Sequence, residues 1–390
     1  MQFFKSVAYY WKKVDKIYWL IMLSISAFSV LLLKTVPAAS SGKRWYMTML
    51  VAALLGYFGA IIISMLDYHD LAMFWYIIAG FSLFLMVYTL KFGKPVTSTG
   101  GVNAKAWIYL GSTSFQPSEL VKIGFIVTFA THLSFLQEHN LLKSPLQVIL
   151  LAVHAMIPVA LTYLQGDIGA GMIFFCMFLT MAFCAGIQIR YFLILFAALG
   201  SAFPLAWKYV LQDYQKQRIL VAYHLDDSYE NVINYGWQQY QARTSIGSGR
   251  LYGRGVLVSP RVNSKIVPEQ ESDMIFTVAG EELGFIGCCV IILLLVLLLL
   301  RTIHIARKCP DLLGKAICMG FFGLIASQMV FNLAMSLDLL PVMGVTLPFF
   351  SAGGTSAACL YFGFGLVENV AVHSDNILPC KVEMRMNEIK

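Results

Sequence analysis

The sequence predicts an all-α integral membrane protein with about ten transmembrane helices and one large extracytoplasmic loop between the seventh and eighth. Three observations carry this reading. Of 390 residues, 58% are hydrophobic and only 13% charged, and the mean hydropathy is +0.71, too apolar for a water-soluble globule of this length. Apolar runs of about 20 residues, the length that crosses a bilayer core, recur along nearly the whole chain. One long polar stretch, 211–272, interrupts them.

The first run, near 17–35, follows a basic start of Lys5, Lys12, Lys13 and Lys16, which sets the N-terminus in the cytoplasm by the positive-inside rule. Pro37, Ala38, Ala39 and Ser40 resemble a signal-peptide cleavage site, but the run before them is about as long as a full span. Runs near 45–65 and 70–90 follow. The fourth, 117–136, opens on Pro117, suited to a first helical turn, and carries Glu119 and Lys122 three apart on one face, where they can pair. A charge in a spanning helix costs roughly 2.5–3.5 kcal/mol, so both are expected to face protein or a wet cavity. Runs near 146–164, 168–187 and 190–210 come next, with Asp167 expected at a helix start beside the extracytoplasmic face. Beyond the polar stretch, Ser272 and Asp273 precede the run 275–300 and suit a helix N-terminus. Arg301, Arg307, Lys308 and Lys315 mark the next turn as cytoplasmic. Runs 313–337 and 345–370 complete the set. An even number of spans returns the C-terminus to the cytoplasm and leaves 211–272 outside, since long segments obey the charge rule poorly. Residues 1–390 read as a single polytopic domain, so any large extracytoplasmic domain comes from a partner.

Cysteines 176, 184, 288, 289, 318 and 359 fall inside apolar runs and read as small hydrophobes, with neither disulfide nor metal-ligand spacing. His132 and His154 read as hydrogen-bonded packing residues. The polar stretch sorts its charge: Asp213 to Glu230 holds four acids against two bases, whereas Gln241 to Val267 carries Arg243, Arg250, Arg254, Arg261 and Lys265 and no acid. Arginine forks suit phosphate; a solvated face or contact with anionic lipid is the plainer alternative. The glycines of 247–255 follow no Rossmann-type strand and so argue tight turns and close backbone approach to a ligand, not a nucleotide loop.

Several separated motifs then agree: Tyr240-Gln241-Ala242, Ser245-Ile246-Gly247-Ser248-Gly249, Gly253-Arg254-Gly255, Val267-Pro268-Glu269, and Ser272-Asp273-Met274-Ile275-Phe276 running into Gly280-Glu281-Glu282-Leu283-Gly284. Ala106-Trp107-Ile108 to Gly111, Phe115-Gln116-Pro117-Ser118-Glu119-Leu120-Val121-Lys122, the weaker Gln165-Gly166-Asp167-Ile168-Gly169, and Asn332 with Leu340-Pro341 through Ser351 and Gly353-Gly354-Thr355-Ser356 add to them. Together, over about 15–372, they resemble the SEDS family of shape, elongation, division and sporulation proteins. Ala106, Arg250, Gly166, Ser336 and Asp338 depart from its pattern.

The resemblance implies a peptidoglycan glycosyltransferase that polymerises lipid II at the outer face of the cytoplasmic membrane, paired with a class B penicillin-binding protein. It makes Asp273 the base candidate; a helix-start acid is the alternative role. Trp107 would support the sugar site or act as an interfacial anchor. Glu119 and Lys122 would touch substrate or only each other, and Asp167 is a secondary polar candidate. Arg243, Arg250 and Arg254 would take over donor binding where Ala106 removes a phosphate contact. Asn332, Ser351 and Thr355 would line the cavity or join helices. No all-protein metal site is expected, although a divalent cation can serve the leaving pyrophosphate; no nucleic-acid partner is expected. A lipid II flippase or a non-catalytic scaffold for the penicillin-binding protein are the competing functions. The branch served, whether elongation, division or sporulation, is not encoded in these motifs.

Overall fold

The computed structural model describes residues 11–38, 42, 44–97, 103–110, 113–223 and 232–374; Lys5, Ala39, Ser40, Gly111 and Glu230, drawn on above, lie outside the described residues. The fold is nearly all helical. Helices α1 (Lys16–Thr35), α2 (Trp45–Met65), α3 (Tyr68–Met73) and α4 (Trp75–Phe92) lead to three short strands, and α5 (Pro117–Glu138), α6 (Pro145–Leu164), α7 (Ile168–Cys184) and α8 (Ile189–Tyr209) follow. The polar stretch folds into α9 (Asp213–Ala222), a π-helical turn (Val232–Gly236), α10 (Trp237–Gly249) and α11 (Pro260–Asn263) before α12 (Ile275–Lys308), α13 (Leu312–Ser336) and α14 (Gly354–His373) close the chain. Among the described residues nine helices are long and apolar enough to cross a membrane, while α7, over the sixth apolar run, is 17 residues long.

Helix α13 is the axis of the bundle, packed against α5, α7, α12 and α14. Its small residues permit this: a methyl on Gly320 would meet Met181 Sδ at 2.9 Å, the close approach that binds helices where lipid removes the usual hydrophobic driving force. Ser26 Oγ of α1 lies 2.7 Å from both Tyr57 OH and Tyr361 OH, tying α1, α2 and α14. Helices α4 and α8 sit at the rim and face outward along most of their length.

One face gathers the segments read as cytoplasmic. Arg301 grips Asp15 at 2.7 Å, Asp15 N donates to Glu368 Oε1, and Tyr68 OH donates to Asp311 Oδ1. The start of α1, the ends of α12 and α14, and the α2–α3 turn therefore share one side of the molecule.

Three differences from the sequence reading have physical causes. The run 70–90 breaks at Phe74 into α3 and α4, and the last run starts its helix only at Gly354, leaving 341–353 irregular. The strands β1 (Lys94–Thr97), β2 (Asn103–Leu110) and β3 (Thr113–Phe115) form an antiparallel sheet, with Lys94 opposite Trp107 and Ile108 opposite Phe115. Alternation marked β2, with Ala106 buried between exposed Lys105 and half-exposed Trp107, but eight residues are too few to stand out among spans.

The third difference concerns Gly249, Gly253 and Gly255, which pack against α12. Helix α12 is broken at Gly284, where φ is 66° and ψ −162°. The freed groups are taken by the preceding loop: Arg254 N and Gly255 N donate to the carbonyls of Glu281 and Glu282, and Phe285 N and Ile286 N donate to those of Arg250 and Leu251. A break in a spanning helix is tolerated where protein satisfies its backbone. The exchange requires contact without side chains, since a Cβ on Gly253 would lie 2.0 Å from Glu282 O. Gly253→Ala is thus expected to lower stability by ~1–3 kcal/mol, read as an earlier thermal midpoint in detergent.

Candidate active site

The site lies at the face opposite the Asp15–Arg301 pair. Asp273 sits just before α12, whose cap residue is Met274 with no side-chain cap bond, so Asp273 stands at the helix head without capping it. Among the described residues no hydrogen-bond donor reaches its carboxylate. The residue keeps partial exposure, yet burial first, and then the carboxylates of Glu269, Asp167 and Glu271, raise its pKa from 3.8 to about 7. Gly344 faces it: a methyl there would meet Asp273 Oδ2 at 3.6 Å.

Asp167 caps α7 through Ala170 N at 2.9 Å and accepts from Gln116 Nε2 at 2.8 Å. Burial raises its pKa, the Ala170 bond and Lys122 oppose the shift, and Glu119 adds to it. Lys122 Nζ is 2.8 Å from Glu119 Oε1, and both side chains are almost fully buried. Four of the predicted residues thus form one chain of charge, from Asp273 to Asp167 to the Lys122–Glu119 pair. The pair is closed on itself, although Glu119 Oε2 has no partner. Asp167→Asn keeps an oxygen for the cap and removes the charge; the titration midpoint of Asp273 is expected to fall below about 7, measured from the pH dependence of activity.

Trp107 stands on β2, whose Lys105 N donates to Gln165 O. The hairpin is thereby docked beside the α6–α7 turn that carries Asp167. Thr355 Oγ1 donates to Ser114 O, fixing β3 to α14.

The three arginines are not gathered around Asp273. Arg243 is exposed and 3.7 Å from Asp338. Exposed Arg250 and Arg254 belong to the turn that mends the Gly284 break, eight or more residues along α12 from Asp273 and so about 12 Å away along its axis. Arg254 Nε also donates to Ser248 O. The arginine that is built into the loop is Arg261, which donates to Ser245 Oγ, Gln241 O and Gln241 Oε1 and whose backbone N meets the buried Glu281. Its sequence signal, one base among five, did not distinguish it.

Asn332 and Ser351 are buried and engaged with backbone. Asn332 Nδ2 donates to the carbonyls of Asp273 and Val345, each at 2.7 Å. Ser351 Oγ donates to Ser272 O at 2.6 Å and accepts from Leu347 N. Their donors are thus taken by backbone carbonyls, while the buried Asn332 Oδ1 has no partner among the described residues. Sequence reading also passed over Gln116 and Gly344; Gln116 had only its place before a helix-opening proline as a signal. His132 and His154 do form the expected packing pair, with Nδ1 atoms 3.2 Å apart. Among the described residues no three His, Cys, Asp or Glu converge on a metal-sized site.

A polytopic helical bundle with a secluded carboxylate at one mouth, backed by a buried ion pair, is the frame of a membrane enzyme acting at a surface. The chain belongs to the FtsW/RodA/SpoVE family of cell cycle proteins, the SEDS family, whose model matches residues 13–376. It is similar to the peptidoglycan glycosyltransferase RodA of Treponema pallidum, with 27% identity over 432 residues that cover 91% of this chain and 97% of that protein. The stage V sporulation protein E of Bacillus subtilis is 31% identical over 292 residues, 75% of this chain and 77% of its own. Among solved structures, a chain of a peptidoglycan synthase complex in which polymerization and crosslinking are coordinated superposes with a TM-score of 0.76 at 28% identity, covering 94% of this chain and 99% of that one.

Proposed function

We propose that this chain is a peptidoglycan glycosyltransferase that polymerises lipid II at the outer face of the cytoplasmic membrane, with Asp273 as general base. The observation that carries the reading is a half-buried carboxylate at the head of α12 that no donor among the described residues reaches and whose pKa is raised to about 7, near the pH at which a base must both lose and take a proton. The 4-hydroxyl of the acceptor sugar attacks the anomeric carbon of the donor. As the new C–O bond forms, the hydroxyl proton passes to Asp273 and the bond to undecaprenyl pyrophosphate breaks. A single displacement inverts the α-linked donor into a β-1,4 linkage.

The basic 301–315 turn shares its face with Asp15 and Glu368, which supports cytoplasmic N- and C-termini and an external site. Trp107, beside the Asp167 turn, suits the sugars, and Arg243 suits the phosphates. Arg250 and Arg254 suit anionic head groups further out. A divalent ion, where one assists, travels with the pyrophosphate whose charge it neutralises. The partner that supplies crosslinking is a class B penicillin-binding protein, as the similarity to a chain of a peptidoglycan synthase complex suggests.

The test is to supply lipid II to the purified chain with its penicillin-binding protein blocked by a β-lactam. Glycan chains are the expected product. Lipid flipping in vesicles without polymer would replace this reading with the transporter.

A further inference from the structure

We propose that Asn332 and Ser351 are positioning residues for Asp273: together with Ala352 they hold the three consecutive carbonyls of Glu271, Ser272 and Asp273 and so fix where the carboxylate stands. The inference rests on the reading of Asp273 as the base. Three distances define the clamp. Ala352 N meets Glu271 O at 2.7 Å, Ser351 Oγ meets Ser272 O at 2.6 Å, and Asn332 Nδ2 meets Asp273 O at 2.7 Å. Buried backbone carbonyls are nearly always paired; here all three donors come from α13 and the 351–352 end of one neighbouring segment, so the path of 271–273 follows that frame.

The clamp is needed because the side chain has no anchor of its own. With no donor on the carboxylate among the described residues, its position is inherited from the backbone beneath it. The donors are themselves fixed. Asn332 is completely buried on α13 and reaches across to Val345 O, and Ser351 receives Leu347 N. Between these points Phe349 is held at φ 65°, a conformation costly for a bulky residue that persists only where packing over-determines it. That packing comes from Tyr361, with ring centroids 5.3 Å apart, and from Phe28 against Phe350. The 341–353 segment is therefore a stiff frame, and it also carries Gly344, which faces the carboxylate.

A displaced Asp273 would leave a particular electrostatic setting. Glu269 and Glu271 face it from its own loop and Asp167 from the head of α7. Lys122 and Glu119 stand behind Asp167 on α5, and Lys265 lies near Glu271. Movement toward water would relieve both burial and repulsion, so the pH midpoint reports position.

The experiment compares Ser351→Ala and Asn332→Leu with Thr302→Val, which loses a buried hydroxyl bonded to Leu298 O and Tyr18 OH, next to Arg301 on the opposite face. Each is assayed for glycan synthesis from lipid II across pH. Ser351→Ala and Asn332→Leu are expected to lower kcat by about 10- to 100-fold, the scale of a misplaced reacting group, with KM unchanged and the pH midpoint moved below that of the wild type. Ser351→Thr, which retains the hydroxyl, is expected to recover most of kcat. Thr302→Val is expected to lower the melting temperature with kcat and midpoint intact. Loss of kcat in Thr302→Val equal to that in Ser351→Ala, or a raised KM with kcat held, would overturn the proposal. Should the wild type make no polymer, the functional reading fails and the clamp is still tested by melting. The pH-dependent difference between Asp273 and Asp273→Asn is then expected to shift to lower pH in the Ser351→Ala background, and an unshifted difference refutes it.

Discussion

Replacing Asp273 by asparagine is expected to reduce glycan synthesis by ~10²–10⁴-fold, the usual contribution of a positioned base, while the chain still folds. Asparagine nearly matches the shape of aspartate, and the carboxylate accepts no hydrogen bond from the described residues, so the exchange removes chemistry and little structure. The wild-type rate is expected to rise with pH and level off above about 7, because burial and the neighbouring carboxylates keep Asp273 protonated below that value. Stability moves the other way. A carboxyl raised from 3.8 to about 7 on folding favours the folded state fully below pH 3.8 and loses that contribution as pH rises through about 7. Asp273→Asn escapes the loss. Its melting temperature relative to the wild type is expected to climb between pH 5 and 7 and then flatten. Equal rates of polymer synthesis from the two proteins at pH 8 would remove Asp273 from the mechanism, and a pH-independent melting difference would show that its carboxylate is not secluded.

The apolar runs made the bundle legible, because a bilayer imposes one length and one composition on every span. They carried no sign of which helix is central: α13 and α8 read alike, although one is the axis and the other the rim. Asp273 and Asp167 were legible as acids at helix heads, and Glu119 and Lys122 as a pair because spacing of three on a helix brings side chains together. Their assembly into one chain of charge was not legible, since it depends on how α5, α7 and α12 are set around α13. The placement of the arginines was not legible either. Charge along the loop was visible, but the loop's path is set by the break at Gly284, where Gly249 and Gly253 press on α12. Asn332 and Ser351 looked like polar lining for the same lack of a third dimension: a small polar residue reads identically whether it faces a cavity or another segment's carbonyl.

Lys122→Met is expected to be the most destabilising single change in the bundle, by ~3–5 kcal/mol, because it strands the buried Glu119 carboxylate. Glu119 Oε1 would lose its 2.8 Å partner, and Oε2 has none to begin with. The lysine is the deeper member, with 1% of its side chain exposed against 8% for Glu119, so water does little to screen the orphan. Removing both charges is a different matter. In Glu119→Gln/Lys122→Met the desolvation penalty of two ions disappears with their attraction, and a buried pair exchanged for neutral groups of similar volume is often neutral in stability. The melting temperature is therefore expected to fall sharply in the single variant and to return most of the way in the double, a coupling that a double-mutant cycle reads directly. Catalysis need not return with it. Lys122 also draws Asp167 toward its charged form, and Asp167 in turn holds the pKa of Asp273 high. A double variant that melts like the wild type but polymerises with a lower pH midpoint would show that the pair serves the electrostatics of the site as well as the fold. One whose two losses simply add would show that the two charges act independently.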